Sequence, residues 1–201
     1  MSSTVIAVRI GSVMGRWQPD AAGRLQQAAL ELYATRGYDA TTVAEISQRA
    51  GLTERTFFRH FADKREVLFR GSEELQQLIV EAVESAPSSS RPLEALAAGL
   101  QAADAVFDAD RRPHSRTRQA VIGSTPELQE RELIKLASLA GALADALRHR
   151  GVEHSAAELA AQAGIAVFRV AFEHWLNDDS GRTFADSVSD AFAELRAVTA
   201  D

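Results

Sequence analysis

Arg55, Thr56, Arg59 and His60 fall within six positions of one another, a spacing that places them on the same side of a short helix. Guanidinium, hydroxyl and imidazole groups arranged in this way can donate hydrogen bonds to base edges and to phosphates of a duplex. They lie in the run TTVAEISQRAGLTERTFFRHFADKREVLF, Thr41 to Phe69. Here Ile46, Ala50, Leu52, Phe57 and Phe61 supply an apolar inner side. Gly51 separates two short helical stretches, Thr42 to Ala50 and Thr53 to Phe61, and supplies the left-handed residue that lets them cross steeply. The pattern predicts a helix-turn-helix at about 43–62. A helical hairpin buried in a core is the plainer alternative, but it would not expose Arg55, Arg59 and His60 beside Phe58.

No other residue set points to chemistry as specific. The five histidines do not form a metal site by spacing: His149 and His154 flank Gly151 and cannot share a helical face, and neither Glu153-His154 nor Glu173-His174 is followed by a second histidine at zinc spacing. There is no glycine-rich phosphate loop with its lysine and no serine nucleophile in a recognisable setting. The expectation is therefore a protein that is not an enzyme and has neither cofactor nor metal. With no cysteine in the chain, disulfides are ruled out, and the composition fits a reducing cytosol.

Stepping outward, 201 residues at 46% hydrophobic can bury one sizeable core, or a small module joined to a larger one. The net charge of -6 is unevenly spread. Residues 16–65 carry eight basic against six acidic side chains, whereas residues 66–201 carry thirteen against twenty-two. A mildly basic head on an acidic body suits a protein that meets phosphates at one end. The most apolar stretch, Ala156 to Leu176, includes Glu158, Gln162, Arg169 and Glu173, too many polar groups for a bilayer core, so no membrane partner is expected. Val5 to Val8 is too short for a signal peptide, residues 1–15 read as a disordered leader, and Met14 is a candidate alternative start.

Helical periodicity runs through nearly every segment, which predicts an all-α fold of about nine helices. The first spans about Asp20 to Arg36, with Leu25, Ala28, Ala29, Leu32 and Tyr33 on its buried stripe. Thr42 and Glu45 form a capping box for the second. Asp63, with Glu66 at the same offset, should open a fourth helix reaching residue 84. Pro92 opens a fifth to about Asp108, and a sixth lies between Pro113 and Ile122. A seventh runs from Thr125 to Arg150, an eighth is capped by Ser155 and Glu158, and a ninth by Thr183 and Asp186. The domain boundaries expected are a leader at 1–15, a DNA-binding module at 16–70 and a C-terminal domain at 71–201.

The Thr41 to Phe69 run resembles the TetR family of transcriptional regulators (TetR/AcrR-like), whose motif ends G-(V/L)-S-x-x-(T/A)-(L/F)-Y-x-(H/Y)-F-x-x-K-(E/D)-x-L. Gly51, Leu52, Thr53, Thr56, Phe57, Phe58, His60, Phe61, Lys64 and Leu68 stand at the matching places, preceded by Leu32, Gly37, Tyr38, Thr41, Thr42, Ile46 and Ala50. One departure is Phe58, where the family usually has tyrosine, so a phosphate hydrogen bond is lost. The resemblance implies that Thr42 and Lys64 hold the DNA backbone while Thr53, Arg55, Thr56, Phe58, Arg59 and His60 face the major groove. Arg16 and Trp17 extend that contact. It further implies a ligand-responsive regulator, a repressor, that binds a palindromic operator in double-stranded DNA as a homodimer. The last two helices would form the dimer interface, through residues that include Leu159, Val170, Phe184 and Phe192. A small apolar or aromatic effector would bind among Leu100, Phe107, Ile122, Leu139, Leu143, Phe168, Phe172 and Trp175, with Asp104, Arg118, Gln119 and His174 as polar candidates. The expected setting is bacterial and cytoplasmic, with the protein on the nucleoid when bound. Two other classes stay open at this point: an all-helical small-molecule carrier or enzyme with a non-functional DNA-binding module, and a helical adaptor that binds only protein.

Overall fold

The computed structural model describes residues 21–200. The expected leader, with Arg16 and Trp17, lies outside the described residues. Nine α-helices and three short 3-10 turns make up the described chain, with no strand among them: α1 Ala21–Arg36, α2 Val43–Arg49, α3 Glu54–His60, α4 Ser72–Ser85, α5 Pro92–Ala102, α6 Arg112–Gly123, α7 Pro126–His149, α8 His154–Asn177 and α9 Phe184–Thr199. The all-α architecture follows directly from the 3.6-residue periodicity.

Local chemistry sets most of the helix ends. At the start of α2, the Glu45 amide donates to Thr42 Oγ1 at 3.2 Å and the Thr42 amide donates to Glu45 Oε2 at 2.9 Å, closing the capping box. Thr183 and Asp186 repeat it at α9, with both bonds at 3.0 Å. Three ends differ from the sequence expectation. Asp63 does accept the amides of Arg65 and Glu66 at 2.7 and 3.2 Å, but the helix it opens is a single 3-10 turn, Glu66–Phe69. Gly71 then stands at φ 85°, which breaks the chain direction and restarts it as α4. The fifth helix stops at Ala102, six residues early. Asp104 turns to accept the Ala185 amide at 3.1 Å, and Phe107 packs among the aromatic rings of α8 and α9. The cap of α8 is Glu153, which accepts the amides of Ser155 and Ala156, while Glu158 is drawn instead to Arg148 at 2.9 Å.

The apolar side chains gather in two clusters. One joins α1, α2, α3 and the turn at 66–69 through Leu25, Tyr33, Ile46, Phe57, Phe61, Val67 and Leu68, all buried. It also takes in Val121 and Ile122 of α6 and Leu128 of α7. The other lies among α4, α5, α7, α8 and α9. α8 is long and apolar enough to cross a membrane by length and composition, with a mean hydropathy of 1.2. It packs against α7 and α9 and presents Gln162, Arg169 and Glu173 to solvent.

The elbow between α2 and α3 is a Schellman turn. The Leu52 amide donates to Ser47 O at 2.8 Å and the Gly51 amide to Gln48 O at 3.0 Å, with Gly51 at φ 66°. A β-carbon there would meet nothing within 4 Å, so a side chain is penalised by the backbone conformation alone. Gly51→Ala should cost roughly 1 to 2 kcal/mol and Gly51→Asn less, because asparagine enters the left-handed region more readily. Thermal melting should fall by a few degrees for alanine, and an unmoved midpoint would contradict this account.

Candidate nucleic-acid interface

α3 is seven residues long, too short to persist alone, and three interactions hold it. Thr53 Oγ1 accepts the Thr56 amide at 3.2 Å, which satisfies an N-terminal donor. Phe57, fully buried, and Phe61 anchor its inner side, each contributing about 1.5 to 3 kcal/mol by removal from water. Their rings are 5.4 Å apart. With those two residues inside, the helical period turns Arg55, Phe58, Arg59 and His60 outward, and all four are exposed. Phe58 is 56% exposed and leans edge-on against Phe57 at 5.4 Å.

The cations of this module divide into two groups. Arg49 is paired with Glu31 at 2.7 Å and Arg36 with Glu45 at 3.2 Å, which ties α1 to α2. Arg65 is held by Asp63. Arg55, by contrast, has no acidic partner among the described residues, and Arg59 has only the neighbouring His60 ring at 3.3 Å. These two guanidiniums, with Thr56 and Phe58, line a shallow concavity of about 400 Å3. Arg55, Thr56, Phe58, Arg59 and His60 thus share one surface, and Thr53 and Thr42 mark the N-termini of α3 and α2. Both threonine hydroxyls are engaged in capping.

Lys64 has an additional role that spacing does not reveal. Its Nζ donates to Tyr38 O at 3.0 Å and Thr41 O at 3.2 Å and sits 3.9 Å above the Tyr38 ring. Two of its three donors therefore brace the loop before α2, which leaves one for a phosphate. Behind it, the Tyr33 hydroxyl donates to Lys64 O at 2.7 Å. Burial pushes the Tyr33 phenol well above its ordinary range, and burial with Asp63 nearby pushes Tyr38 up to about 12.

In the C-terminal domain, the expected effector residues Leu100, Leu139, Leu143, Phe168 and Trp175 lie in one buried cluster, with Phe107 and Phe172 packed on it. Ile122 lies in the other cluster, against α1. Phe184 of α9 joins the aromatic group, 4.7 Å from Phe107. The polar candidates are mostly engaged elsewhere: Arg118 donates to Leu68 O at 2.8 Å, Asp104 accepts from Ala185, and His174 faces solvent.

Sequence reasoning also missed the arginines of α6. Arg112, 8% exposed, donates to Asp178 O at 2.6 Å and Arg182 O at 2.5 Å. Arg116 donates to the carbonyls of Leu176 and Asp178 and to the Asp179 carboxylate. Arginine-to-carbonyl bonds across sixty or more residues leave no signature in the sequence.

Comparison with known proteins is consistent with this geometry. Residues 25–70 match the family model described as bacterial regulatory proteins, tetR family, and residues 90–200 match the MftR C-terminal domain. The chain is 30% identical over 173 residues to a Mycobacterium tuberculosis protein that carries the name mycofactocin biosynthesis transcriptional regulator MftR, covering 84% of this chain and 86% of that one. It is 37% identical over 79 residues to the HTH-type transcriptional regulator TcmR of Streptomyces glaucescens. That match takes in 39% of this chain and about a third, 35%, of the relative. Among solved structures, the fold is similar to Bacillus subtilis FadR in complex with stearoyl-CoA, with a TM-score of 0.55 and 19% identity, covering 86% of this chain and 96% of that one.

The carboxylates that cap the fold make a pH dependence of stability. The Ser180 hydroxyl first, then the amides of Arg182, Ser180 and Gly181, hold Asp178 down at about 2, below its ordinary 3.8. Glu45 and Asp186 are lowered by the backbone and hydroxyl bonds of Thr42 and Thr183. Groups depressed in the folded state stabilise it fully above their unfolded values and lose that contribution as pH falls through the folded value. The thermal midpoint should therefore hold down to about pH 5 and then fall. Asp178→Asn should flatten the part of the fall between about pH 4 and 2, and a curve unchanged by that substitution would refute the assignment.

Proposed function

The chain belongs to the tetR family of bacterial regulatory proteins, and on that premise we propose that it is a repressor. In this reading it grips a palindromic operator as a homodimer and lets go when a small apolar or aromatic effector binds. The observation that carries it is the exposed, acid-free pair Arg55 and Arg59 on a helix whose other side is locked by Phe57 and Phe61. Each guanidinium has the fork geometry for O6 and N7 of guanine. Thr53, Thr56, Phe58 and His60 would complete the major-groove face, while Thr42 and the third donor of Lys64 would hold phosphates.

The homodimer reading is supported by an outward stripe on α8. Leu159 is 74% exposed and Val170 39% exposed, and with Ala166 they follow a helical spacing on one face. Phe184, Val188 and Phe192 of α9, by contrast, are buried within the chain itself, so the apolar surface free for a partner is the stripe on α8. A symmetric pair would set two α3 helices about 34 Å apart, one turn of duplex. The module at 16–70 would then read DNA and the domain at 71–201 would sense the effector. The apolar, aromatic cluster of the latter suits an apolar ligand, as does the stearoyl-CoA bound by the similar FadR of B. subtilis. The assigned chemistry needs no cofactor and no catalytic step, and a cytoplasmic setting follows from the DNA partner.

The test begins with an operator selected from a random duplex pool by the wild-type protein. The Arg55→Ala/Arg59→Ala double variant should remain folded and dimeric but bind that operator about thirtyfold more weakly or worse, because two bidentate contacts carry roughly 2 to 6 kcal/mol. An unchanged gel shift would overturn the reading. In a salt titration, operator affinity should fall with a logarithmic slope of about 0.9 per neutralised phosphate, and a flat titration would rule out backbone gripping by this face.

A further inference from the structure

Trp175 is fully buried, and its indole Nε1 has no hydrogen-bond partner. A buried N–H without an acceptor is costly, and native proteins seldom leave one unmatched. A second orphan lies beside it. The guanidinium of Arg112 stands 5.1 Å from the centre of the Trp175 ring. Its two terminal nitrogens are used on the carbonyls of Asp178 and Arg182, yet its Nε is buried and also lacks a partner. Two unmatched donors therefore share one apolar neighbourhood.

That neighbourhood is built around Phe107. Its ring lies 6.2 Å from Phe168, 5.2 Å from Phe172, 5.6 Å from Trp175 and 4.7 Å from Phe184. These are ordinary contact separations for aromatic pairs, so another ring enters only by taking the place of one already there. Four of the five rings are on α8 and α9. Phe107 alone is on the irregular link between α5 and α6, between two 3-10 turns at 103–105 and 109–111, and it is only partly buried. It is the ring that can leave at least expense, because few backbone hydrogen bonds hold its segment.

We propose that Phe107 is a built-in plug, and that the effector is an aromatic compound bearing an oxygen acceptor, whose ring replaces that of Phe107 while its oxygen accepts from Trp175 Nε1. Asp178 already pairs with Arg112 at 3.3 Å, so the site calls for a neutral carbonyl or phenolic oxygen rather than a second anion. This rests on the effector-responsive reading above and names the ligand class for it. Displacing Phe107 pulls on the start of α6, three residues after the second 3-10 turn begins, and α6 carries Val121 and Ile122 into the core of the DNA-binding module.

Isothermal titration of the intact protein with naphthalene and with 2-acetylnaphthalene tests the proposal, because the two differ by the carbonyl alone. The ketone should bind at least tenfold more tightly. In Trp175→Phe that preference should shrink to twofold or less, and Phe107→Ala should bind both compounds at least fivefold more tightly than wild type. Equal affinities in the wild type, a preference that survives in Trp175→Phe, or weaker binding by Phe107→Ala would each overturn it, as would no binding by wild type and Phe107→Ala alike. Should Trp175→Phe fail to fold by circular dichroism, the wild-type ratio and Phe107→Ala still decide. The titration contains no DNA, so its failure is distinct from failure of the repressor reading, which the operator gel shift reads.

Discussion

A left-handed residue at position 51 is the constraint from which the exposed face of α3 follows. It ends α2 after seven residues and launches α3 at a steep angle, so that Phe57 and Phe61 reach the same core as Ile46 and Leu25. Once those rings are inside, helical geometry leaves no freedom for Arg55 and Arg59: they must point to solvent. The same elbow explains why neighbouring arginines do not compete for the role. Arg36 and Arg49 stand on the side where α1 and α2 meet, within reach of Glu45 and Glu31, and serve as struts. Arg55 and Arg59 on α3 have no such acidic strut among the described residues.

The two clusters of the chain are not independent bodies, because α6 packs into one and is hydrogen-bonded to the helix end beside the other. Its C-terminal half buries Val121 and Ile122 against α1, and Arg118 donates to Leu68 O from the same helix. Its N-terminal half is fastened by Arg112 and Arg116 to the carbonyls at the end of α8. A second tie runs through Glu66, which meets Arg131 and, at 3.8 Å, Lys135 of α7, along a cleft of about 500 Å3 between the module and α4. The contacts of α6 thus form one continuous connection from the carbonyls at the end of α8 to α1 and the 66–69 turn.

What could be read in the sequence was whatever is decided over a few residues. The capping boxes at Thr42 and Thr183, the glycine at position 51 and the 3.6-residue stripes act locally, so their residues declare them. The outward placement of Arg55, Phe58, Arg59 and His60 was legible for the same reason, since one turn and one helix period set it. What failed was decided at a distance. Asp63 looks like the start of a long helix, and only the backbone angle at Gly71 shows otherwise. The fifth helix ends early because Asp104 and Phe107 find partners eighty residues on. Ile122 shares its apolar character with Leu143, but tertiary packing sends it to the other core. The tie of Lys64 to Tyr38 and Thr41 spans more than twenty residues, so a residue that looks like a simple phosphate clamp is also a brace.

The modest size of the reading surface bears on the assembly. A seven-residue helix offers two forked guanidiniums, worth roughly 2 to 6 kcal/mol of base discrimination together. Distinguishing one operator from a genome of competing sites takes about 4 to 10 kcal/mol over non-specific binding. A single copy therefore reaches only the bottom of that range, whereas two copies on a palindrome span it. The acidic remainder of the chain works in the same direction: with twenty-two acids against thirteen bases beyond residue 65, it is repelled by phosphates and leaves the α3 face as the favoured approach. Weak contacts doubled by symmetry also release readily. A spacing change of a few ångströms that unseats one half would remove half of the discrimination at once, and an effector would bring it about to the extent that it binds the wider-spaced state more tightly.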